Sequence, residues 1–189
     1  MFDQVRVLIL AGGLGTRLKS VIPDKPKALA PILGKPFLYY QLQWIKQFEL
    51  NQITVSTGYL AEQIEQELAN FKFEPKICIS QETEALGTGG AIRLAANSFF
   101  EPYFLILNGD SLCNYNLFAW LKLATTKQNM SMVLTEVENV ARYGQVLIND
   151  DDTLKKFVEK NELKQPGMVN AGIYLIPREW ILELPLGKA

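Results

Sequence analysis

The chain contains no histidine. This absence excludes Ser-His and Cys-His nucleophile pairs and histidine-ligated metals, and it removes the side chain that titrates most readily near neutral pH. Cysteine is scarce as well, since Cys78 and Cys113 are too few and too widely spaced for a disulfide framework or a zinc site. We interpret both thiols as buried filler residues. Any catalysis must therefore rely on positioning, on cations and on carboxylates.

The chain also lacks a strong charge of one sign and long apolar runs. The formal net charge is −1 over 189 residues, so no broad basic surface favours nucleic acid as a partner. No apolar run is long enough to span a membrane, and residues 1–10 lack the basic start of a signal peptide. We therefore expect a cytoplasmic protein with no membrane partner. The length and the ordinary apolar fraction of 48% predict a single globular domain over residues 1–189.

Strand-like and helical patterns alternate along the first part of the chain. Apolar runs that predict strands lie at 5–10, 53–56, 76–80 and 103–107, helical spacing recurs over 37–48, 60–71, 87–96 and 117–124, and mainly strand-like segments follow from about residue 130. This order predicts an α/β fold with a Rossmann-like, doubly wound sheet that is mixed but mainly parallel. Ligands of such sheets bind beyond the carboxyl ends of the strands, so the segments after strands 5–10, 76–80 and 103–107 should meet in one crevice.

A glycine-rich segment follows the first strand and runs LAGGLGTRL from Leu10 to Leu18. It fits neither the P-loop, which needs Gly-Lys-Ser/Thr, nor the dinucleotide fingerprint, because Leu18 stands where the third glycine belongs. Exposed glycine amides and the nearby cations Arg17 and Lys27 suit a triphosphate instead. The alternative is a glycine-rich turn without a ligand, and a nicotinamide enzyme is disfavoured.

Asp110 ends the segment Asn108-Gly109-Asp110 after the most apolar strand. A carboxylate there is placed as a ligand of Mg²⁺, which in nucleotide sites takes one or two carboxylates plus substrate phosphates. The alternative is an ordinary turn or helix-capping aspartate. The glycine loop favours the metal ligand.

The segment 81–91, QETEALGTGGA, is rich in glycine. Gly87, Gly89 and Gly90 allow the backbone to lie against a planar group, and Glu82 or Glu84 could accept hydrogen bonds from a base. Carboxylates suit a donor-rich edge such as guanine N1–H and N2–H₂. The alternative is a helix N-terminus that happens to contain glycines.

Polar groups also mark the ends of two later strands. Glu159 and Lys160 lie side by side at one strand end, and Asn170 and Gly172 begin the next strand. Such groups bind sugars, and Lys160 suits a phosphate. The alternative is an ordinary pair of surface strand ends.

Together these segments resemble the sugar-1-phosphate nucleotidylyltransferase family. The motifs that carry the resemblance occur in order along nearly the whole chain: LAGGLGTRL (10–18), PKALAP (26–31), GKP (34–36), GTGGA (87–91), NGD (108–110), RYG (142–144), EK (159–160) and NAGIY (170–174). Within the family, residues 86–92 and 21–24 most resemble the D-glycero-D-manno-heptose-1-phosphate guanylyltransferases. Cytidylyltransferases and mannose-1-phosphate guanylyltransferases share several motifs.

The resemblance implies a reaction between a nucleoside triphosphate and a sugar 1-phosphate that yields a nucleotide-sugar and pyrophosphate. The absence of histidine is no handicap for that chemistry. A phosphate monoester has a second pKa of about 6, so its attacking oxygen is already charged at pH 7 and needs no general base. In-line placement and neutralisation of phosphate charge are what the reaction requires.

The resemblance also implies roles for individual residues. The nucleotide-binding set is Leu10, Ala11, Gly12, Gly13, Gly15, Thr16, Arg17, Glu82, Gly87, Thr88, Asn108 and Gly109; the sugar-phosphate set is Lys27, Gly144, Glu159, Lys160, Asn170 and Gly172; and Asp110 would bind Mg²⁺. Arg17 would hold the β- and γ-phosphates, and Lys27 would bridge the α-phosphate and the attacking phosphate. The nucleotide half would cover about 1–128 and the sugar-phosphate half about 129–189.

Two departures from the family pattern matter. Ala28 replaces a second proline after the lysine, which loosens the expected Lys27 loop. The family also continues through a further helix and strand with a late aspartate that completes the metal site, so we expect a truncated C-terminal end. Three functions stay open: a GTP-dependent heptose-phosphate enzyme, a CTP- or UTP-dependent hexose-phosphate enzyme, and a non-catalytic nucleotide-sugar-binding subunit. Related enzymes often associate, which leaves a homo-oligomer open.

Overall fold

The protein is an α/β structure with a central sheet. The computed structural model describes residues 2–13, 15, 22, 24–71, 73–159 and 164–184. The elements in chain order are β1 (Val5–Leu10), β2 (Pro31–Ile32), β3 (Lys35–Pro36), α1 (Phe37–Lys46), β4 (Ile53–Thr57), α2 (Ala61–Asn70), β5 (Cys78–Gln81), α3 (Gly87–Ser98), β6 (Tyr103–Asn108), α4 (Leu117–Lys127), β7 (Ser131–Val137), β8 (Gln145–Ile148), β9 (Leu154–Val158), β10 (Gly167–Pro177) and α5 (Arg178–Leu182). Short 3-10 turns cover Lys27–Leu29 and Val140–Arg142.

The chain divides into two compact units. The first contains residues 1–131 and 174–189, and the second contains Met132–Ile173. The chain leaves the first unit after Ser131 and returns to it at Tyr174, in the middle of β10. The expected division into a nucleotide half over about 1–128 and a sugar-phosphate half over about 129–189 stays a prediction.

The sheet of the first unit is parallel over its first four strands. Its order begins β5-β4-β1-β6, followed by β10, and β1 pairs in parallel with both β4 and β6. The register aligns Leu10 with Ser56 on one side and with Asn108 on the other, and Ser56 with Ser80. The carboxyl ends of four strands therefore lie at one edge, as the alternating pattern predicts.

The three inner strands β4, β1 and β6 are buried along almost their whole length, whereas the edge strand β5 is only partly buried. Val7, Leu8 and Ile9 of β1 are fully buried, which explains why the strand reads as a continuous apolar run rather than an alternating one. Helix α1 buries Leu38, Gln41, Leu42 and Ile45, which are three or four residues apart and therefore lie on one face of the helix.

Arg6 is the charged side chain buried in the sheet. Its guanidinium donates to both carboxylate oxygens of Glu101, at 2.7 and 2.5 Å, and to Thr54 Oγ1 at 2.9 Å. Gln52 Oε1 accepts a further bond at 2.9 Å. Because these bonds satisfy most of the guanidinium donors, the charge is tolerated between strands.

The second unit is β-rich. Its hairpin pairs β8 with β9 in antiparallel fashion and has an irregularity between Leu147 and Ile148, and β7 lies beside β10. The strand-like segments expected from about residue 130 are present as β7, β8, β9 and β10.

Several details differ from the sequence expectations. Cys78 and Cys113 are free thiols that are only partly buried, so they are not core filler. The third strand begins at Cys78 rather than at residue 76. The short hairpin of β2 and β3 was not expected, because its strands have only two residues each.

Among the described residues, no helix is long and apolar enough to cross a membrane.

Candidate active site

A cavity of about 690 Å³ opens at the carboxyl edge of the parallel strands. It lies entirely in the first unit. Its lining residues are Leu10, Ala11, Gly12, Gly13, Gly15, Lys27, Ala28, Ser56, Glu82, Ala85, Gly87, Thr88, Ala91, Asn108, Gly109 and Asp110. The three segments expected to meet in one crevice therefore do meet. The volume is within the range of small-ligand sites.

The beginning of the glycine loop is fixed by close backbone contacts. A Cβ on Gly12 would lie 2.6 Å from Glu82 Oε1, and a Cβ on Gly109 would lie 2.5 Å from Leu10 O. The backbone is also bonded here, because Ala11 N donates to Ser56 O at 2.8 Å and Gly109 N to Leu10 O at 2.9 Å. Gly109 is therefore required for its packing against the backbone of β1, whereas a side chain at Gly12 would displace the Glu82 carboxylate.

Gly13 and Gly15 have a different environment. Within the described part of the chain, a Cβ on Gly13 would meet no atom within 4 Å, and a Cβ on Gly15, which has φ +58°, would meet only atoms of Lys27. Their backbone faces the cavity rather than packed protein, as expected of amides that approach a ligand closely.

Lys27 and Asp110 meet across the cavity. Lys27 Nζ forms an ion pair with Asp110 Oδ2, and Ser111 Oγ donates to Asp110 Oδ1 at 3.1 Å. The side chains remain 46% and 35% exposed, respectively, so an incoming phosphate or cation can reach both. Lys27 belongs to the 3-10 turn that follows Pro26, while Asp110 follows β6, so opposite charges come together from segments 83 residues apart.

Glu82 lines the cavity and directly follows β5 in the sequence. Its Oε2 accepts from Leu86 N at 3.0 Å, and its Oε1 accepts from Ser56 Oγ at 3.4 Å. The carboxylate thus holds the loop that leads into α3, whose first residues Gly87 and Thr88 also line the cavity. A carboxylate has about four acceptor sites, so these two bonds leave capacity for a ligand.

The expected sugar-phosphate residues other than Lys27 belong to the second unit where they are described. Gly144 and Gly172 have φ of +82° and +75°, a region that side chains rarely adopt. Asn170 Oδ1 accepts from Gly172 N at 2.8 Å, and Glu159 is exposed directly after β9. Thr16, Arg17 and Lys160 lie outside the described residues.

Two polar residues were missed by the sequence reasoning. Ser56 lines the cavity at the end of β4, and the parallel-strand rule that was applied to the other strand ends would have found it. Gln41 lies on α1 with only 1% of its surface exposed and bonds to the segment around Asp110. Its signal is an amide on an otherwise apolar helix stripe.

A family model described as nucleotidyl transferase matches residues 6–186. The chain belongs to the nucleotidyl transferase family. Among similar family members, the D-glycero-alpha-D-manno-heptose 1-phosphate guanylyltransferase of Campylobacter jejuni is 35% identical over 93% of this chain and 77% of that protein. The mannose-1-phosphate guanylyltransferase catalytic subunit beta of Drosophila pseudoobscura is 36% identical over 92% of this chain, which spans about half (48%) of that relative.

Solved structures of a family member agree with the fold. HddC from Yersinia pseudotuberculosis is 34% identical, with a TM-score of 0.89 over 97% of this chain and 81% of that one. It is also known complexed with GMP-PN. The family predicted from the motifs and the α/β fold predicted from the alternating pattern are thus confirmed. The roles predicted for individual residues of this chain stay predictions.

Proposed function

We propose that this chain transfers a guanylyl group from GTP to a sugar 1-phosphate, with a heptose 1-phosphate favoured as acceptor, and releases pyrophosphate. The observation that carries the proposal is the single cavity in which the glycine loop, Lys27, Glu82 and Asp110 come together. The 35% identity to a heptose 1-phosphate guanylyltransferase supports the choice of nucleotide and acceptor.

The chemistry follows from the charges available. An oxygen of the sugar phosphate attacks the α-phosphorus of GTP, and the bond between that phosphorus and the bridging oxygen of pyrophosphate breaks. Lys27 is assigned to neutralise charge on the α-phosphate and on the attacking phosphate, while Arg17 is assigned to the leaving pyrophosphate. No proton acceptor is needed, because the attacking oxygen is already ionised at pH 7.

The residues around Asp110 fit a divalent cation held mainly by substrate. Among the described residues there is no group of three or more carboxylate or cysteine side chains that could hold a metal by itself. One accessible carboxylate is nevertheless what Mg²⁺ uses in nucleotide sites, together with phosphates and water. Bound there, Mg²⁺ would supply charge neutralisation on the triphosphate.

Recognition of guanine is assigned to the segment after β5. Glu82 is held in place by Leu86 N and Ser56 Oγ, and a positioned carboxylate can accept from guanine N1–H and N2–H₂. Gly87 and Thr88 add backbone groups at the start of α3. For the sugar phosphate we propose Gly144, Glu159, Lys160, Asn170 and Gly172 in addition to Lys27. With GTP as the donor, we also propose that the protein acts in the cytoplasm.

The test is pyrophosphate release from each of GTP, CTP and UTP combined with heptose, mannose and glucose 1-phosphates in the presence of Mg²⁺. We expect fast turnover only with GTP and one sugar phosphate. Fast turnover with CTP or UTP and a hexose phosphate would replace the guanylyl assignment. Binding of nucleotide-sugar without pyrophosphate release would instead favour a non-catalytic subunit.

A further inference from the structure

Gln41 makes polar contacts from the buried face of α1. Its Nε2 donates to Asn108 O at 2.9 Å and to Ser111 O at 2.8 Å. These two carbonyls flank Gly109 and Asp110. The amide therefore spans the turn that carries the Asp110 carboxylate.

The contacts fix the orientation of the amide. Two carbonyl oxygens can only accept, so the NH₂ group must face them, and both of its donors are used. Gln41 Oε1 is buried and has no hydrogen-bond partner among the residues that the structure describes. A buried acceptor without a partner is costly, and a core position for packing alone would be better filled by an apolar side chain.

Helix α1 is also bonded to the segment that carries Lys27. Phe37 N, at the start of α1, donates to Ala30 O at 2.9 Å, and Ala30 N donates to Lys27 O at 3.0 Å. One helix thus supports the Lys27 segment at its first turn and the Asp110 turn one helical turn later.

We propose that Gln41 is a positioning residue that fixes the Asp110 carboxylate for divalent-cation binding in the presence of nucleotide. Resting on the proposed function, the inference adds a residue that touches neither substrate nor cation. Its amide sets the height of the Asp110 turn above the sheet edge and so the position of Oδ1 and Oδ2 relative to a bound triphosphate.

The experiment measures the dissociation constant of GTP by calorimetry, without sugar phosphate, in EDTA and in saturating Mg²⁺. Gln41→Met removes both donors at nearly constant volume, and Gln41→Glu keeps the shape but turns a carboxylate oxygen toward the two carbonyls. Leu42→Val is the matched control, since Leu42 is also fully buried on α1. Thermal melting confirms that each variant is folded at the assay temperature.

For wild type we expect Mg²⁺ to tighten GTP binding. In both Gln41 variants this Mg²⁺ enhancement should fall about tenfold, the lower end of what loss of a residue behind a metal ligand costs, while GTP affinity in EDTA stays within about twofold. Leu42→Val should keep the full enhancement. Gln41 variants with the wild-type enhancement, or with equal losses in EDTA and in Mg²⁺, would assign Gln41 to packing alone.

Failure of the proposed function is distinguishable from failure of this inference. Wild type that does not bind GTP, or releases no pyrophosphate with any sugar phosphate, contradicts the proposed function. Wild type that binds GTP equally well with and without Mg²⁺ overturns the cation role of Asp110 and the role of Gln41 with it. If wild type releases pyrophosphate normally and the Gln41 variants keep the full Mg²⁺ enhancement of GTP binding, only the role of Gln41 is overturned.

Discussion

Lys27 and Asp110 carry opposite charges on the wall of the same cavity and are paired with each other in the structure. Both side chains remain accessible, so the pair is weak in stability terms, since exposed ion pairs contribute about 0–1 kcal/mol. Their joint placement is better explained by the two charges that a triphosphate and its cation bring. At the residue scale, therefore, replacing either residue should change turnover more than it changes folding stability.

Replacing Lys27 should impair chemistry. Lys27→Ala should lower kcat about 100-fold, as loss of one positioned charge stabiliser typically does, because the α-phosphate loses its cation. Lys25→Ala is the matched control, since Lys25 is an exposed lysine of the same segment that does not line the cavity. Steady-state pyrophosphate release measures both. Equal rates for the two variants would contradict the assignment of Lys27.

Replacing Asp110 should alter the response to cation. Asp110→Asn keeps the shape but removes the charge, so we expect the Mg²⁺ concentration for half-maximal rate to rise about tenfold or more. The free energy of unfolding should change little, because the carboxylate is exposed and its ion pair is weak. A Mg²⁺ titration of turnover is the measurement. An unchanged titration curve would return Asp110 to the role of a turn residue.

Two glycines of the cavity should respond in opposite ways. Gly109→Ala places a Cβ 2.5 Å from Leu10 O, and this overlap with backbone should cost about 1–3 kcal/mol of folding free energy. Among the described residues, Gly13→Ala meets no atom within 4 Å, so stability should hold. KM for GTP should rise about tenfold, the cost of one charge-assisted hydrogen bond to phosphate, because the added methyl group would hold the phosphate away from the backbone amide. Denaturant unfolding and kinetics distinguish the two. A destabilised Gly13→Ala with normal KM would contradict the account.

At the scale of elements, the Arg6–Glu101 pair joins β1 to the segment before β6. The guanidinium of Arg6 lowers the pKa of Glu101 below its ordinary value of 4.5. Since the folded pKa lies below the unfolded one, the pair stabilises above about pH 4.5, and this contribution is lost as the pH falls through the folded pKa. Both side chains are largely buried, with only 7% and 16% exposed, so this hydrogen-bonded pair contributes more than an exposed ion pair, on the order of 2 kcal/mol.

Glu101→Gln tests this pair. The free energy of unfolding at pH 7 should fall by about 2 kcal/mol, because the buried Arg6 charge loses its carboxylate partner, and the difference from wild type should shrink as the pH decreases below 4.5. Urea unfolding between pH 3 and 7 measures it. A difference that stays constant with pH would show that charge does not carry the contact. Turnover at pH 7 serves as a control and should be unchanged, because Glu101 does not line the cavity.

The elements were largely predictable, because buried parallel strands leave apolar runs and amphipathic helices leave a periodic stripe. The β2–β3 hairpin was not, since four residues in two strands leave no pattern. Part of the site could be found only from the three-dimensional structure. Gln41 precedes Asn108 by 67 residues, and no local signal says which turn a buried amide will reach. Likewise, the pairing of Lys27 with Asp110 could not be predicted without knowing the order of the strands in the sheet.

At the scale of the whole molecule, the motif order predicted the family, which the matched family model confirms. We expect the glycine loop, Lys27 and Asp110 to bind one triphosphate together. A crystal structure of the protein with GTP and Mg²⁺ tests it most directly. We expect the phosphates against the Gly12, Gly13 and Gly15 amides, with Lys27 Nζ on the α-phosphate and an Asp110 oxygen on the cation. Two results would contradict this expectation. One is a triphosphate bound elsewhere. The other is a triphosphate bound in this cavity while Lys27 and Asp110 stay paired with each other and contact neither the phosphates nor the cation.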